Sequence, residues 1–375
     1  MSGLSLPVLN VLKRWLKTGI LALLLVTLSI GLCAAGVRDS RLPQGNAITD
    51  GKTLLRYSLP IDNKQVRELQ KSLEDIPQQL RGKRWSAING DVKKATAIVG
   101  DRQSDLLASV SDDQKPQVQA LISQISESLD SLKAAAEAKN RPQLLDQTSS
   151  ILNLVGELEE YMVQKFPFEV PAEYSNLPQL KGRATVKITT EKGDISLVVD
   201  GYTAPVTAGN FVDLVQRGFY NGLPFTRAEE SYVLQTGDPP GKEQGFIDPN
   251  TKKYRAIPLE ILVRGDDAPI YGITLEDAGR YRDQPVLPFS AYGAVAMARP
   301  ESEVNGGSSQ FFFFLFEPEL TPAGLNLLDG RYTIFGFVTE GKDILQKLKQ
   351  GDKIESATVI KGAENLIQPQ KSSSD

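Results

Sequence analysis

Residues Asn305-Gly-Gly-Ser-Ser-Gln-Phe-Phe-Phe-Phe-Leu-Phe316 place a glycine and serine turn directly before six consecutive apolar residues. The apolar run is too short for a buried helix and too apolar for a strand with one face in water. It predicts a strand covered on both faces, although the pattern alone would suit a core strand of any β domain. Gln310 is a polar group at the start of this run, so it needs a partner or a ligand if it is buried.

A period of two residues continues on both sides of this run, from about residue 182 to 362. A hairpin is predicted over residues 184–199, and Ala204-Pro205 opens a helix that ends before Gly218. The remaining pattern predicts strands near residues 224–227, 232–235, 293–298, 333–338 and 356–360, and a short helix at 342–349. Many short strands without strand and helix alternation predict a closed antiparallel barrel.

Residues 46–166 instead repeat apolar side chains every three or four positions. The spacing predicts four amphipathic helices that bury their apolar stripes against one another in a four-helix bundle. They cover residues 62–81, a segment from 85 to about 110, a segment after 113 and a segment after 142. The proline-rich residues 167–181 are predicted to be an extended linker, and residues 363–375 a disordered tail.

The first 36 residues have the pattern of an export signal. Lys13, Arg14 and Lys17 precede an apolar core at residues 20–32, and small residues follow at 33–36. The apolar core is short for a membrane span of roughly 20 residues. We therefore expect an exported protein, with a cleaved signal or, alternatively, a retained anchor.

Composition excludes several classes of site. The chain has no histidine and one cysteine, Cys33, which falls in the signal region. Imidazole or thiol catalysis and zinc binding are therefore not expected, and we predict neither a cofactor nor a metal. The formal net charge is −4, and residues 1–35 hold three of the cations and no carboxylate. The remaining chain is more acidic still, so a nucleic acid is not an expected partner.

The order of motifs between residues 182 and 362 resembles the cyclophilin family of peptidyl-prolyl isomerases. The resemblance rests on seven blocks in the family's order. They are residues 204–214, 218–222, 225–227, 235–238, 293–298, 306–313 and 328–336. It implies an eight-stranded antiparallel barrel with two capping helices and an activity on proline-containing polypeptide segments.

The helical half adds a narrower resemblance, to thylakoid-lumen cyclophilins that carry a PsbQ-like helical domain. Residues 54–61 and Lys83-Arg-Trp85 are the segments similar to that group. The resemblance implies a domain order of signal, helical bundle at 46–166, linker and cyclophilin-like domain at 182–362. It also implies a location in the thylakoid lumen or periplasm, photosystem II subunits as partners, and membrane contact that is peripheral or through an uncleaved signal anchor.

The cyclophilin resemblance implies a catalytic role for Arg227, which would donate to the prolyl nitrogen, and for Gln235, which would hold the carbonyl. Further positions match the family's substrate-binding residues. They are Tyr232, Val233, Ala298, Arg299, Gln310, Phe312, Leu327, Leu328 and Tyr332. Five of these depart from the family's usual residue: Tyr232 for phenylalanine, Val233 for methionine, Arg299 for asparagine, Leu327 for tryptophan and Tyr332 for histidine.

Two functions therefore stay open: an isomerase, or a catalytically weak cyclophilin that acts as a peptide-binding assembly chaperone. The segment between Asp238 and Gly293 is also longer than in minimal cyclophilins. It could cover the pocket, bind a partner or be a loop without a role.

Overall fold

The structure, a computed structural model, describes residues 48–249, 251–316 and 326–369. The predicted signal at 1–36 and the end of the predicted tail lie outside these residues. Within the described part of the chain, none of the helices has the length and apolarity needed to cross a membrane. A helical region comes first and a curled antiparallel sheet follows it, which confirms the predicted order of the two parts.

The helical region contains α1 to α7. They are α1 Gly51–Ser58, α2 Lys64–Glu74, α3 Ile76–Arg81, α4 Trp85–Asp101, α5 Gln103–Leu107, α6 Lys115–Glu137 and α7 Arg141–Tyr161. Asparagine side chains cap two of them, since Asn63 accepts from the Val66 N–H and Asn140 from the Gln143 N–H. The four longer helices bury one shared apolar core.

The predicted count of four helices is not confirmed. The helix expected at 62–81 divides between α2 and α3 at Asp75, because Pro77 lies in the first turn of α3 and has no N–H for a bond to the preceding turn. The helix expected from residue 85 ends at Asp101, shortly after Gly100, which is a poor helix former. The α1 helix was not predicted, because eight residues are too few to show a periodic stripe.

The second region is built on eight antiparallel strands in the order β11-β2-β3-β10-β8-β9-β5-β4. These are β2 Arg183–Thr190, β3 Gly193–Asp200, β4 Arg227–Glu229, β5 Val233–Thr236, β8 Ala294–Met297, β9 Phe311–Phe314, β10 Ile334–Glu340 and β11 Ile354–Lys361. The short strands β6 Glu260–Ile261 and β7 Ile270–Tyr271 pair with each other in a separate two-stranded sheet. The sheet curls until its edges meet, where the Phe225 N–H donates to the Asp352 carbonyl at 2.8 Å and the Ile354 N–H to the Leu223 carbonyl at 2.9 Å.

In the described part of this region two α-helices accompany the sheet, α8 Pro205–Gln216 and α9 Lys342–Leu345. The α8 helix packs on the inner face of the sheet, where its Phe211 ring lies 5.1 Å from that of Phe311. Phe311 and Phe313 face this inner core, whereas Phe312 and Phe314 belong to a separate cluster on the outer face. The strand is thus buried on both sides, as its apolar run predicted.

Two predicted boundary segments are more ordered than expected. The proline-rich joint contains a 3₁₀ turn at Ala172–Tyr174 and ends in β1 Gln179–Leu180. The predicted disordered tail at 363–375 is wrong for its first five residues, because Ala363–Asn365 form a 3₁₀ turn and β12 Leu366–Ile367 pairs with β1. Pairing satisfies the backbone of both short strands, which explains why neither segment is free coil.

A buried ion pair joins the helical region to the sheet. Arg183 on β2 lies 2.9 Å from Asp200 on β3, and both side chains are almost completely buried. The same guanidinium donates to the Leu55 carbonyl and to the Ser58 hydroxyl on α1. Ser58 in turn donates to Asp200 at 2.6 Å. The two regions therefore share a fixed polar contact in addition to the linker between them.

We expect Asp200→Ala to lower the free energy of unfolding by about 3–5 kcal/mol, because it leaves the buried Arg183 guanidinium with only the more distant Glu160 carboxylate, at 3.6 Å, as a counter-ion. Urea denaturation measures the change. Asp194→Ala is the matched control, since Asp194 pairs with Lys187 across the same two strands at 2.7 Å but in an exposed position. Equal effects of the two substitutions would show that the buried pair is not a major contributor.

A second expectation concerns pH. Glu159 on α7 is fully buried 3.2 Å from Arg67, and burial raises the pKa of its carboxyl from 4.5 to about 8. The folded state therefore binds a proton at the Glu159 carboxyl more tightly than the unfolded state does. The stabilisation of the fold that this proton provides is complete below pH 4.5 and is lost as the pH rises towards 8. Unfolding measured across this range should show the decline, and Glu159→Gln should remove it. Glu157→Gln, an exposed change on the same helix, should leave it in place.

Candidate functional site

The two predicted catalytic residues lie beside each other on adjacent strands. Arg227 on β4 is directly opposite Gln235 on β5, and Gln235 is directly opposite Phe312 on β9. Phe312 is opposite Ala296 on β8. Side chains at opposed positions of an antiparallel sheet share one face, so the guanidinium, the amide and the ring form a row on the outer face.

The guanidinium of Arg227 is partly engaged by its own strand. Its Nε donates to a Glu229 carboxylate oxygen at 2.7 Å, and its terminal nitrogen NH2 lies 2.7 Å from the same oxygen. The two side chains keep 49% and 50% of their surface exposed. An ion pair so open to water contributes about 1 kcal/mol or less, so an incoming ligand can displace it at little cost.

The predicted need of Gln310 for a partner is met by a chain of polar groups. The Gln235 Nε2 donates to the Gln310 Oε1 at 2.8 Å. The Gln310 Nε2 donates to an Asp238 carboxylate oxygen at 3.1 Å and to the Gln244 carbonyl at 2.9 Å. Partial burial raises the pKa of Asp238. The Gln235 amide is thus oriented by a network of hydrogen bonds rather than by packing alone.

A close approach of two backbones makes that network possible. Gly237 follows β5 with a φ of +91°, and a β-carbon there would lie 2.3 Å from the Ser309 carbonyl oxygen. Only glycine fits this position without a shift of the backbone. The glycine therefore lets the loop that carries Asp238 pass directly beside Gln310.

Phe312, the expected wall of the proline pocket, lies between two other rings. The Phe289 ring stacks parallel to it at 6.0 Å between centroids, and the Tyr332 ring meets it edge-on at 5.6 Å. Only 6% of the Phe312 surface remains exposed. A proline ring therefore finds little of this side chain available unless one of its two neighbours moves.

Arg299 is held by the segment that carries Tyr332. Its Nε and its terminal nitrogen NH2 donate to the Arg331 carbonyl at 3.1 and 2.9 Å. Its guanidinium carbon lies 5.2 Å from the centre of the Tyr332 ring. The backbone N–H of its neighbour Ala298 donates to the Gln310 carbonyl at 2.9 Å. The remaining Arg299 nitrogen, NH1, donates to the Pro300 and Glu301 carbonyls, so the donors of Arg299 are already engaged.

An open groove of about 450 Å³ runs beside this row. Its lining combines predicted site residues with parts of the long segment after Asp238. The lining includes Gln235, Gln310, Ala298, Arg299, Lys242 and Tyr254. A peptide segment can enter such a groove and meet amide, hydroxyl and cationic side chains.

The other predicted positions differ in how close they lie to the row. Val233 and Leu328 belong to the outer-face cluster that includes Phe312. Tyr232 is partly exposed at the end of β5, where its ring meets that of Phe314 at 6.1 Å. Leu327 is 90% exposed, so it makes little contact with this cluster.

The sequence left open whether the long segment between Asp238 and Gly293 covers the pocket, and it did not identify Phe289 as a residue that packs there. Phe289 is almost fully buried, and its N–H donates to an Asp329 carboxylate oxygen at 2.7 Å. Burial raises the pKa of Asp329 to about 6. The apolar residues from Val286 to Phe289 were the available signal, but an isolated apolar cluster in a long loop does not show what it packs against.

Glu260 anchors the same segment to α8. Its buried carboxylate accepts from the Val206 N–H at 3.0 Å and from the Thr207 N–H and hydroxyl at 2.6 Å each. The helix has no side-chain cap from its own sequence, so this carboxylate supplies one. Burial raises the pKa of Glu260 to about 7 despite these bonds. The segment is therefore an integral part of the sheet region.

Comparison with known proteins matches both regions. Residues 50–163 match the model of the peptidyl-prolyl cis-trans isomerase CYP38-like, PsbQ-like domain, and residues 185–365 match the cyclophilin type peptidyl-prolyl cis-trans isomerase model. A Synechocystis protein named as a thylakoid lumen peptidyl-prolyl cis-trans isomerase is 54% identical, over 98% of this chain and 99% of that protein. The chloroplastic isomerase CYP38 of Arabidopsis thaliana is 46% identical, over 88% of this chain and 78% of that protein.

We expect Phe289→Ala to lower the free energy of unfolding by about 3–5 kcal/mol, because it removes a buried ring and leaves a cavity beside Phe312. Tyr281→Ala is the control, since Tyr281 lies in the same segment but is 67% exposed. Chemical denaturation of both variants measures the difference. A negligible effect of Phe289→Ala would mean that the packing of this ring against the sheet does not stabilise the fold.

Proposed function

Because the chain belongs to the cyclophilin-type peptidyl-prolyl cis-trans isomerase family, with a PsbQ-like domain before the cyclophilin domain, we propose that it isomerises X-Pro bonds with Arg227 as its electrostatic catalyst. One observation carries this assignment: Arg227, Gln235 and Phe312 occupy opposed positions on three adjacent strands and share one face. That row holds a cation, a polar amide and an apolar ring, the three kinds of group the reaction uses.

The reaction needs no covalent intermediate. Rotation about an X-Pro bond has a barrier of about 18–20 kcal/mol, because the amide is stabilised by resonance. As the bond twists, the prolyl nitrogen loses conjugation and becomes a hydrogen-bond acceptor, to which the Arg227 guanidinium donates. Gln235 holds the carbonyl of a neighbouring peptide unit. Interactions that form only with the twisted amide lower the barrier.

The ion pair with Glu229 gives Arg227 a resting partner. Substrate binding replaces this contact, since the pair is half exposed and therefore weak. In our proposal Glu229 acts as a competitor for the guanidinium. The acidic side chain then lowers the fraction of molecules in which Arg227 is free to donate.

We further propose the thylakoid lumen as the site of action and photosystem II polypeptides as clients. The names of the two similar proteins, one thylakoid lumenal and one chloroplastic, support the location. The match of the helical region to a PsbQ-like domain supports the choice of clients. Co-isolation of the full chain with photosystem II subunits from thylakoids tests the proposal, and recovery only with unrelated complexes would contradict it.

A specific observation favours a second function. Phe312 is almost entirely covered by Phe289 and Tyr332, which leaves little apolar surface for a proline ring. A cyclophilin with such a pocket could hold an extended peptide in the groove beside Gln235 and Arg299 without turning it over. It would then act as an assembly chaperone.

We expect Arg227→Ala to lower kcat/KM by about 100-fold or more, as for the loss of a preorganised donor to a developing charge. Glu229→Ala should raise kcat/KM by about twofold to fivefold, because it removes the resting partner of the guanidinium. A protease-coupled assay of a proline peptide measures both. Arg282→Ala, an exposed arginine outside the row, should match the unmodified protein.

Unchanged kcat/KM in Arg227→Ala would contradict the proposed mechanism. Absence of turnover in the unmodified protein, together with peptide binding that Arg227→Ala weakens, would favour the chaperone function.

A further inference from the structure

Two turns lie together at one end of the helical region. The start of α2 meets the end of α7, since Arg67 lies 3.2 Å from Glu159. The α3 helix, which continues from α2, also packs against α7. We infer that the α2–α3 segment and α7 run antiparallel, which brings Arg81 to the end of the helical region where α7 starts at Arg141. The turn from α3 to α4 and the turn from α6 to α7 occupy this end. We call residues 81–85 and 137–142 the distal turns.

The distal turns are strongly basic. Their charged side chains are five exposed cations and a single carboxylate, that of Glu137. The cations are Arg81, Lys83, Arg84, Lys139 and Arg141. Among the described residues none of the five forms an ion pair, whereas the chain as a whole has a net charge of −4. An acidic protein thus carries a basic end, in which five cations and one carboxylate give a net charge of 5 − 1 = +4.

The backbone of both turns shows that these cations occupy costly positions. Lys83 has a φ of 55° and Lys139 a φ of 54°, in the left-handed region that favours glycine. Each follows a helix end closed by the same hydrogen-bond pattern, in which the Arg84 N–H donates to the Gln79 carbonyl and the Asn140 N–H to the Ala135 carbonyl, both at 2.9 Å. Two lysines in the position where glycine is most stable suggest that charge is retained here for a function.

The helix that begins in the first turn adds to the positive potential. The α4 helix starts at Trp85 with no side-chain cap and no acidic residue in its first turn. The partial positive charge of a helix N-terminus therefore adds to the charges of Lys83 and Arg84.

We propose that the distal turns bind an anionic lipid surface and attach the protein peripherally to a membrane. A protein interface is usually anchored by a cluster of aromatic or aliphatic side chains. The distal turns have one large apolar side chain with partial exposure, that of Trp85, and it packs against the core of the helical region. Binding of clustered cations to an anionic bilayer needs no such anchor, because each cation near the surface contributes separately. The chemistry of the turns therefore fits lipid headgroups better than a folded partner.

The distal turns and the sheet region lie at opposite ends of α7. The other end of α7 meets the sheet, where Glu160 lies 3.6 Å from Arg183. A helix of this length extends about 30 Å, at roughly 1.5 Å for each residue. Attachment through the distal turns would therefore hold the sheet region at about this distance from the lipid surface, within reach of loops that project from the membrane.

Co-sedimentation of the full chain with vesicles tests the proposal. Vesicles of phosphatidylglycerol mixed with phosphatidylcholine are compared with vesicles of phosphatidylcholine alone, at low and high salt. Binding should require the anionic lipid and weaken with salt. Neutral vesicles report any contribution of the apolar N-terminal segment, which all variants share.

A fourfold charge reversal, Lys83→Glu, Arg84→Glu, Lys139→Glu and Arg141→Glu, should lower the anionic-vesicle partition coefficient by about 600-fold or more, since each cation contributes about fivefold. The matched control reverses four exposed lysines outside the distal turns, Lys165→Glu, Lys192→Glu, Lys349→Glu and Lys353→Glu. It changes the net charge equally and should reduce binding far less.

A double variant with Lys83→Gly and Lys139→Gly distinguishes a loss of lipid binding from a loss of stability. Glycine relieves the left-handed backbone, so Tm should rise, while vesicle binding should fall by about 25-fold from the loss of two cations. Equal loss of binding in the control set would overturn the proposal. Retention on an acidic peptide column without vesicle binding would also overturn it and would assign the basic end to an acidic protein.

Discussion

The ion pair between Arg183 and Asp200 is the contact on which the arrangement of the two regions depends. Removing two charges from water is costly, and the cost is offset only when every donor and acceptor is satisfied. Here the satisfying groups come from both regions, since Ser58 and the Leu55 carbonyl belong to α1 while the charged pair belongs to the sheet. A polar network of this kind permits very few relative positions of helix and sheet.

The position of α1 in turn shapes the surroundings of the candidate site. Leu54 and Leu55 pack in the same outer-face cluster as Phe312 and Phe337. Gly51 approaches the sheet so closely that an added β-carbon would lie 2.8 Å from the Phe337 side chain. The helical region is thus part of the packing behind the site, and the cyclophilin domain does not present a free outer face at this point.

Two features of the site work against each other. The row of Arg227, Gln235 and Phe312 places the groups that an isomerase uses on one face, and the hydrogen bonds of Gln310 orient the amide. The Glu229 carboxylate accepts from the Arg227 guanidinium, and the rings of Phe289 and Tyr332 cover Phe312. A substrate must displace these neighbours before it can bind. Turnover requires that the free energy gained by binding the twisted amide exceed the cost of that displacement, and otherwise the protein only binds peptide.

The local pattern of apolar and polar residues in the sequence determined much of the fold. Periodicity separated the helical region from the sheet, and the apolar run at 311–316 predicted a strand buried on both faces, which forms over Phe311–Phe314. Gln310 was recognised as a group in need of partners. The resemblance of seven ordered blocks supplied the positions of Arg227 and Gln235. The contact of Arg227 with Glu229 could also have been anticipated, because residues two apart on a strand share a face.

Tertiary structure alone decided the contacts between residues far apart in the chain. Glu260 caps α8, Phe289 stacks on Phe312, and Arg183 bonds to α1, yet none of these pairings leaves a periodic signal. The breaks of the predicted helices and the order of residues 363–367 were likewise set by packing and strand pairing. Sequence patterns report which face of an element is apolar, whereas register and long-range packing choose the partner that covers it.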